Sequence, residues 1–178
     1  MEDSEIIRNL IQDSAKINLE DHYKKKKVLL KEDQTSSEVQ ILNVPEDSLV
    51  IRVDAFQAPK SIFNNIKGVC KRADFVLISF TDKTIIYIEM KKSTGKWSEV
   101  LDQLKGAECF IYYCQKIGIA YWENEDFLKQ YKHRFVVIGG TNLAKEKTRV
   151  TKSQEEHDTP SRALKINNPN NLQYKSLI

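Results

Sequence analysis

The chain has 178 residues, 40% hydrophobic and 30% charged, with a net charge of only +3. That length predicts one domain burying a substantial core, and that composition excludes a disordered polyelectrolyte. No apolar run reaches the ~18 residues of a membrane helix, and the N-terminal MEDSEIIRNL lacks the basic and then apolar regions of a secretory signal.

In chain order, Ile6, Ile7, Leu10, Ile11, Ala15 and Leu19 recur near a helical period, which predicts an amphipathic helix over residues 4–19. Residues 24–32 either extend it or form a second short helix. The run Lys24 to Lys27 reads first as a solvated face, and residues 33–37 read as a polar loop. Residues 48–56 alternate and are rich in β-branched side chains, as a strand requires. Residues 59–68 read as a loop with at most one helical turn. Two further strands, over residues 72–80 and 84–90, are separated by Thr81, Asp82 and Lys83, which predicts a β-hairpin.

The strongest helical signal covers residues 97–117, with Val100, Leu101, Leu104, Ala107, Glu108, Ile111 and Tyr112 on one face and Gly118 as the stop. A short helix at 127–131 and a buried strand at 135–140 follow. The chain then turns polar over residues 141–161, and residues 162–178 hold either an edge strand at ALKI or a loose tail. No internal repeat is visible. This order predicts an α/β fold with a central mixed sheet flanked by helices over residues 1–140, and a polar C-terminal extension over residues 141–178.

The cysteines, Cys70, Cys109 and Cys114, include no CxxC pair, so zinc-ligand spacing is absent. Cys109 and Cys114 sit in an apolar stretch and read as buried free thiols, which points to a reducing compartment, cytoplasmic or nucleoid-associated. His22, His133 and His157 show no partner spacing and read as surface or core residues, and Trp97 and Trp122 as residues packed on the sheet.

The hairpin carries the chemistry. Asp74 begins one strand, and Glu89 and Lys91 end its partner. A turn centred near Asp82 places Asp74 opposite residues 90–91 and within diagonal reach of Glu89. Residues 89 and 91 share a face because the strand period is two. Both acids sit in apolar runs, where a carboxylate is costly unless paired or bound to a metal. A hard divalent cation, magnesium or manganese, would keep both ionised, and the adjacent lysine would orient or deprotonate a water and stabilise phosphate charge.

Arg72-Ala73-Asp74 followed by Glu89-Met90-Lys91 resembles the PD-(D/E)XK, or restriction-endonuclease-like, nuclease superfamily, with Ala73 in place of the nominal proline. The predicted elements over residues 2–140 fit that superfamily's αβββαβ core. The resemblance implies Asp74 and Glu89 as metal ligands, the carbonyl of Met90 as a further ligand, and Lys91 as the catalytic lysine. Gln103, in Asp102-Gln103-Leu104-Lys105, matches a glutamine that RecB-type branches carry near the active site. The downstream tyrosine of those branches is not cleanly present. A glutamate on the first helix is common in the superfamily, with Glu5 and Glu20 as candidates here.

Lys71, Arg72, Lys92 and Lys96 flank the motif and read as phosphate contacts, while Lys145, Lys147, Arg149 and Lys152 form a further basic segment. The expected activity is therefore magnesium-dependent hydrolysis of nucleic acid, with DNA as the expected partner. A homodimer or a subunit role in a larger complex stays open. The alternative is a catalytically silent nuclease-fold subunit that binds nucleic acid or scaffolds an assembly. A cross-strand ion-pair set on a solvated sheet face is the plainest account of the three residues; their apolar flanks argue against it.

Overall fold

The computed structural model describes residues 1–32, 37–91, 96–140, 156–167, 169 and 171–178. The first helix, α1 (Asp3–Leu10), buries Ile6 and Ile7, and its start is capped by the Glu2 amide donating to the Glu5 carboxylate at 3.3 Å. It is shorter than the expected 4–19. Ile11 turns extended, and a 3-10 turn at Asp13–Ala15 leads into the short strand β1 (Lys16–Ile17). The polar trio Gln12, Asp13, Ser14 is the local reason, since Asp and Ser compete for backbone groups inside helices.

The expected extension or second helix at 24–32 is instead strand. β2 (Glu20–His22) and β3 (Lys25–Glu32) form an antiparallel pair, and β4 (Ser37–Val44) adds to β3. The lysine run is the solvated part of this ribbon. Lys26 pairs with Asp21 at 2.6 Å and Glu46 at 3.6 Å, and Lys27 with Glu20 at 3.2 Å. Val28 and Leu30 alternate inward, as do Val39 and Ile41 in β4.

β5 (Leu49–Arg52), β6 (Phe75–Ser79), β7 (Thr84–Lys91) and β8 (Lys132–Gly139) build the main sheet, in the order β1-β5-β6-β7-β8-β9 with β9 (Leu164–Asn167) at its edge. β6 and β7 are the expected hairpin, whereas β8 and β9 pair in parallel. The second sheet has the order β10-β4-β3-β2, with β10 (Asn171–Gln173) parallel to β4. The long helix α2 (Trp97–Trp122) crosses between β7 and β8.

The fold is α/β, but not a single sheet between helices. One face of the main sheet carries Ile51, Val76, Tyr87, Phe135 and Val137 against α1 and α2. The other carries Val50, Leu77, Ile86, Ile88, Val136 and Ile138 against Val28, Leu30, Val39 and Ile41 of the second sheet. The central strands are therefore apolar on both faces, which explains their continuous hydrophobic runs. Between the two helices lie seven strands, β1 to β7, rather than three.

Helix α2 runs past Gly118 to Trp122, and Glu123 ends it in the left-handed conformation at φ 53°. Gly118 serves close packing instead: a Cβ there would lie 2.2 Å from Cδ1 of Phe127. Its buried residues Val100, Leu104, Ala107, Ile111, Cys114 and Gly118 extend the expected stripe, while Tyr112 lies exposed. Residues 127–131 form turns rather than a helix. Cys70 and Cys114 are buried free thiols, and Cys109, contrary to expectation, is exposed. No helix among the described residues is long and apolar enough to cross a membrane.

Candidate active site

Residue parity puts the motif on the helix-facing side of the main sheet. Val76 and Ile78 of β6 and Ile85 and Tyr87 of β7 face α1 and α2, so Asp74, Glu89 and Lys91 continue that face at the end of the hairpin. Pairing runs from Ser79↔Thr84 to Phe75↔Ile88, and one further step sets Asp74 beside Glu89. Opposition to residues 90–91 had been expected. The connection is four residues long, 80–83, so its centre lies before Asp82 and the register tightens accordingly. This brings the two carboxylates directly across from each other rather than diagonally.

Asp74 is held on two sides. Its carbonyl accepts the Val53 amide at 2.8 Å, and its carboxylate Oδ2 accepts the Met90 amide at 2.7 Å. Glu89 is 1% exposed and Asp74 9%. Oε1 of Glu89 takes Lys91 Nζ at 2.8 Å, while its Oε2 is buried without a hydrogen-bond partner. Lys91 Nζ also donates to Oε1 of Gln103 at 2.7 Å. Two carboxyls, a lysine and a glutamine from β7, the lead-in to β6 and the second turn of α2 thus meet at one place.

Electrostatics follow from burial. Desolvation pushes the Asp74 carboxyl well above the usual carboxylate range, partly opposed by the Met90 amide and reinforced by the charges of Asp54 and Glu32. Desolvation likewise raises Glu89, with Asp74 adding repulsion and Lys91 opposing it. Each acid makes the other harder to ionise, and the site has more carboxylate than one lysine neutralises.

The other expected residues divide. Arg72 is turned onto the protein: its guanidinium donates to the carbonyls of Val53 at 3.1 Å, Cys70 at 3.4 Å and Phe56, and stacks on the Phe56 ring at 4.1 Å. It braces the segment before Asp74, which its sequence position did not suggest. Lys71 leans on Glu99 at 3.3 Å and Asp102 at 4.0 Å of α2. Lys96 is exposed at the start of α2. Lys92, and the basic residues Lys145, Lys147, Arg149 and Lys152, lie outside the described residues. Glu5 caps α1 and Glu20 pairs with Lys27.

The acids whose charges reach Asp74 are instead Glu32, at the end of β3, and Asp54, just beyond β5. Glu32 is a buried acidic residue. The signal that would have found it is the Val28–Leu30–Glu32 alternation, which places it on the inward face. No family model matches the chain, and no match is found among curated proteins or among solved structures.

Proposed function

We propose that the protein is a divalent-metal-dependent nuclease of the restriction-endonuclease-like kind, hydrolysing phosphodiester bonds of nucleic acid, DNA foremost. One observation carries the reading. Asp74 and Glu89 are buried side by side, with Lys91 held between Glu89 and Gln103. Ordinary stability does not call for this arrangement, because paired buried acids repel and an apolar pair would serve as well or better.

The donor set fits a hard cation. Oε2 of Glu89 is a buried acceptor with nothing to accept from, and a carboxylate oxygen is a ligand of choice for magnesium or manganese. Among the described residues no group of three or more His, Cys, Asp or Glu side chains is arranged to hold a metal ion. The shell would therefore consist of Asp74, Glu89, the Met90 carbonyl and water, in keeping with magnesium's habit of retaining several waters. A bound cation would supply Lewis acidity at the phosphate and a more acidic water.

The chain's own groups do the rest. Asp74 and Glu89 orient the centre, while Lys91, as an ammonium fixed by Gln103, stabilises charge that builds on phosphate oxygens during in-line attack. Gln103 is a positioning residue that keeps the Lys91 side chain from folding wholly onto Glu89. The competing reading, a silent nuclease-fold subunit, draws on the Glu89–Lys91 ion pair and on the shortage of acidic ligands.

Digestion of linear, circular, single-stranded and branched DNA and of RNA, with magnesium or manganese, separates the two. The parent is expected to cut at least one substrate. Lys91→Ala is expected to lose on the order of 10²–10³ in rate, the scale of removing one transition-state electrostatic contact, with its circular dichroism unchanged. A folded Lys91→Ala protein that cuts at the parental rate overturns the mechanism.

A further inference from the structure

Beside the candidate active site lies a cavity of about 510 Å³ between the segment that leads to Asp74 and the outer face of α2. Four aromatic rings line it: Phe56 and Phe63 from the segment, Phe110 and Tyr113 from the helix. Phe56 and Phe110 already partner each other at 5.4 Å. Phe63 and Tyr113 do not bury their rings, being 53% and 67% exposed. Ile62, Ile66 and Val69 of the same segment are also more than half exposed. An apolar patch of this kind on a water-facing surface marks a binding site more often than an accident of packing.

Its surroundings say which occupant. Residues 55–73 contain Lys60, Lys67, Lys71 and Arg72 and not one Asp or Glu. Lys71 and Arg72 are taken up by α2 carboxylates and backbone carbonyls, so the positive frame of the aromatic surface is the exposed pair Lys60 and Lys67. A purely apolar peptide gains nothing from that frame. A polyanion with flat, stackable faces uses both parts of it. Position agrees. Arg72 lies two residues before Asp74, and Gly106, which also lines the cavity, lies one helical turn beyond Gln103. At ~1.5 Å per helical residue, Phe110 and Tyr113 stand roughly 10 and 15 Å along α2 from Gln103. A strand with one phosphate at the active site would cover that distance in about three to four stacked nucleotides.

We propose that this cavity receives unpaired bases of a single-stranded nucleic acid, stacked on Phe63 and Tyr113 while Lys60 and Lys67 follow the backbone. The substrate class is then nucleic acid with an unpaired stretch next to the cleaved bond: a single strand, a flap, a frayed end or a junction. This deepens the nuclease reading by naming its substrate, but the binding itself needs no chemistry. Stacking of this type is tolerant of sequence and strongly dependent on salt.

The test measures binding without cleavage, by fluorescence anisotropy of a labelled oligothymidylate with the full chain in calcium or EDTA. Tyr113→Ala and Phe63→Ala are each expected to weaken binding about tenfold or more, the loss expected of one stacked base. Tyr113→Phe retains binding and Tyr113→Leu does not. An oligonucleotide of equal length with an abasic tract, which keeps every phosphate, is expected to bind as weakly as the alanine variants, and a blunt duplex more weakly than the single strand. Oligothymidylate should also slow alkylation of Cys109, an exposed thiol at the cavity wall.

Equal affinity for the abasic and base-bearing strands overturns the proposal. So does an alanine variant that binds normally, or one whose only change is a smaller sedimenting mass, which would make the patch a self-association surface. If the alanine variants lose binding while no metal supports cleavage by the parent, the cavity assignment stands and the nuclease reading falls. If they bind and cut like the parent, the reverse holds.

Discussion

At the scale of single residues, the protein concentrates unfavourable electrostatics at one spot. Asp74 and Glu89 both have carboxyls raised above their ordinary range, chiefly by burial. The sign of the consequence is fixed by linkage. A carboxyl raised in the folded state favours folding fully below its unfolded pKa, and that contribution is lost as pH rises through the raised value. The metal-free protein is therefore expected to lose thermal stability as pH climbs from about 5 towards 8, where ordinary carboxylates have long since ionised. Glu89→Gln should flatten this slope. Magnesium or manganese should oppose it, since binding to the two acids displaces protons and strengthens as pH rises. Melting temperatures of parent and Glu89→Gln across that range, with and without manganese, decide the matter. Identical slopes for the two proteins would show that Glu89 is not what titrates. Arg72 offers a second residue-scale test. Three carbonyls and the Phe56 ring engage its guanidinium, and lysine has neither the planar fork nor the matching stacking surface. Arg72→Lys is expected to cost about 1–3 kcal/mol in chemical denaturation, whereas Lys96→Ala, at an exposed helix start, should change stability by less than about 0.5 kcal/mol.

At the scale of elements, the site depends on how closely α2 approaches the strand lead-in. A Cβ on Gly106 would stand 1.7 Å from the Lys71 carbonyl oxygen, so helix and backbone touch there with no room for a methyl group. Gly118 makes a similar approach at 2.2 Å, but to the Phe127 ring. Alanine favours a helix interior over glycine by roughly 1 kcal/mol, and the two positions should spend that gain differently. Gly106→Ala is expected to destabilise by about 1–3 kcal/mol through overpacking against backbone, and to weaken cleavage by moving Gln103 relative to Lys91. Gly118→Ala meets the fully buried Phe127 ring, which must shift within the core, so it is also expected to destabilise but to leave Gln103 and cleavage by the folded protein unchanged. Denaturant midpoints and cleavage rates of the two variants check this split, and a Gly106→Ala protein as stable as the parent would contradict the described contact.

At the scale of the molecule, the C-terminal residues are structural. β9 completes the main sheet, and β10 joins the second sheet beside β4. Leu164, Ile166, Leu172, Tyr174 and Leu177 enter the core between the two sheets, and Lys165 lies over the Trp97 ring at 3.7 Å, tying β9 to the start of α2. Leu177 is fully buried, so Leu177→Ala is expected to cost about 2–5 kcal/mol. Removal of residues 164–178 should leave the protein unable to give a cooperative melt. A truncated protein that melts like the parent would mean the two sheets hold together without these strands.

The sequence by itself determined the hairpin β6–β7, the long helix after it, the strand β8 and the meeting of Asp74, Glu89 and Lys91 on one face. Each rests on short-range periodicity, turn residues or parity, which the chain carries locally. It also raised Gln103, whose 2.7 Å contact with Lys91 joins positions twelve apart only because α2 folds back over the sheet. Other features were settled only in three dimensions. The strands β3 and β4 were hidden because a lysine run and a short apolar run do not distinguish helix from half-buried strand. Which acids stand near Asp74, Glu32 and Asp54 rather than Glu5 or Glu20, depended on the second sheet and on the path beyond β5. The inward capture of Arg72 and the aromatic cavity likewise arise from contacts between distant segments. Burial is a property of what the rest of the chain places on top of a residue, and no local pattern specifies it.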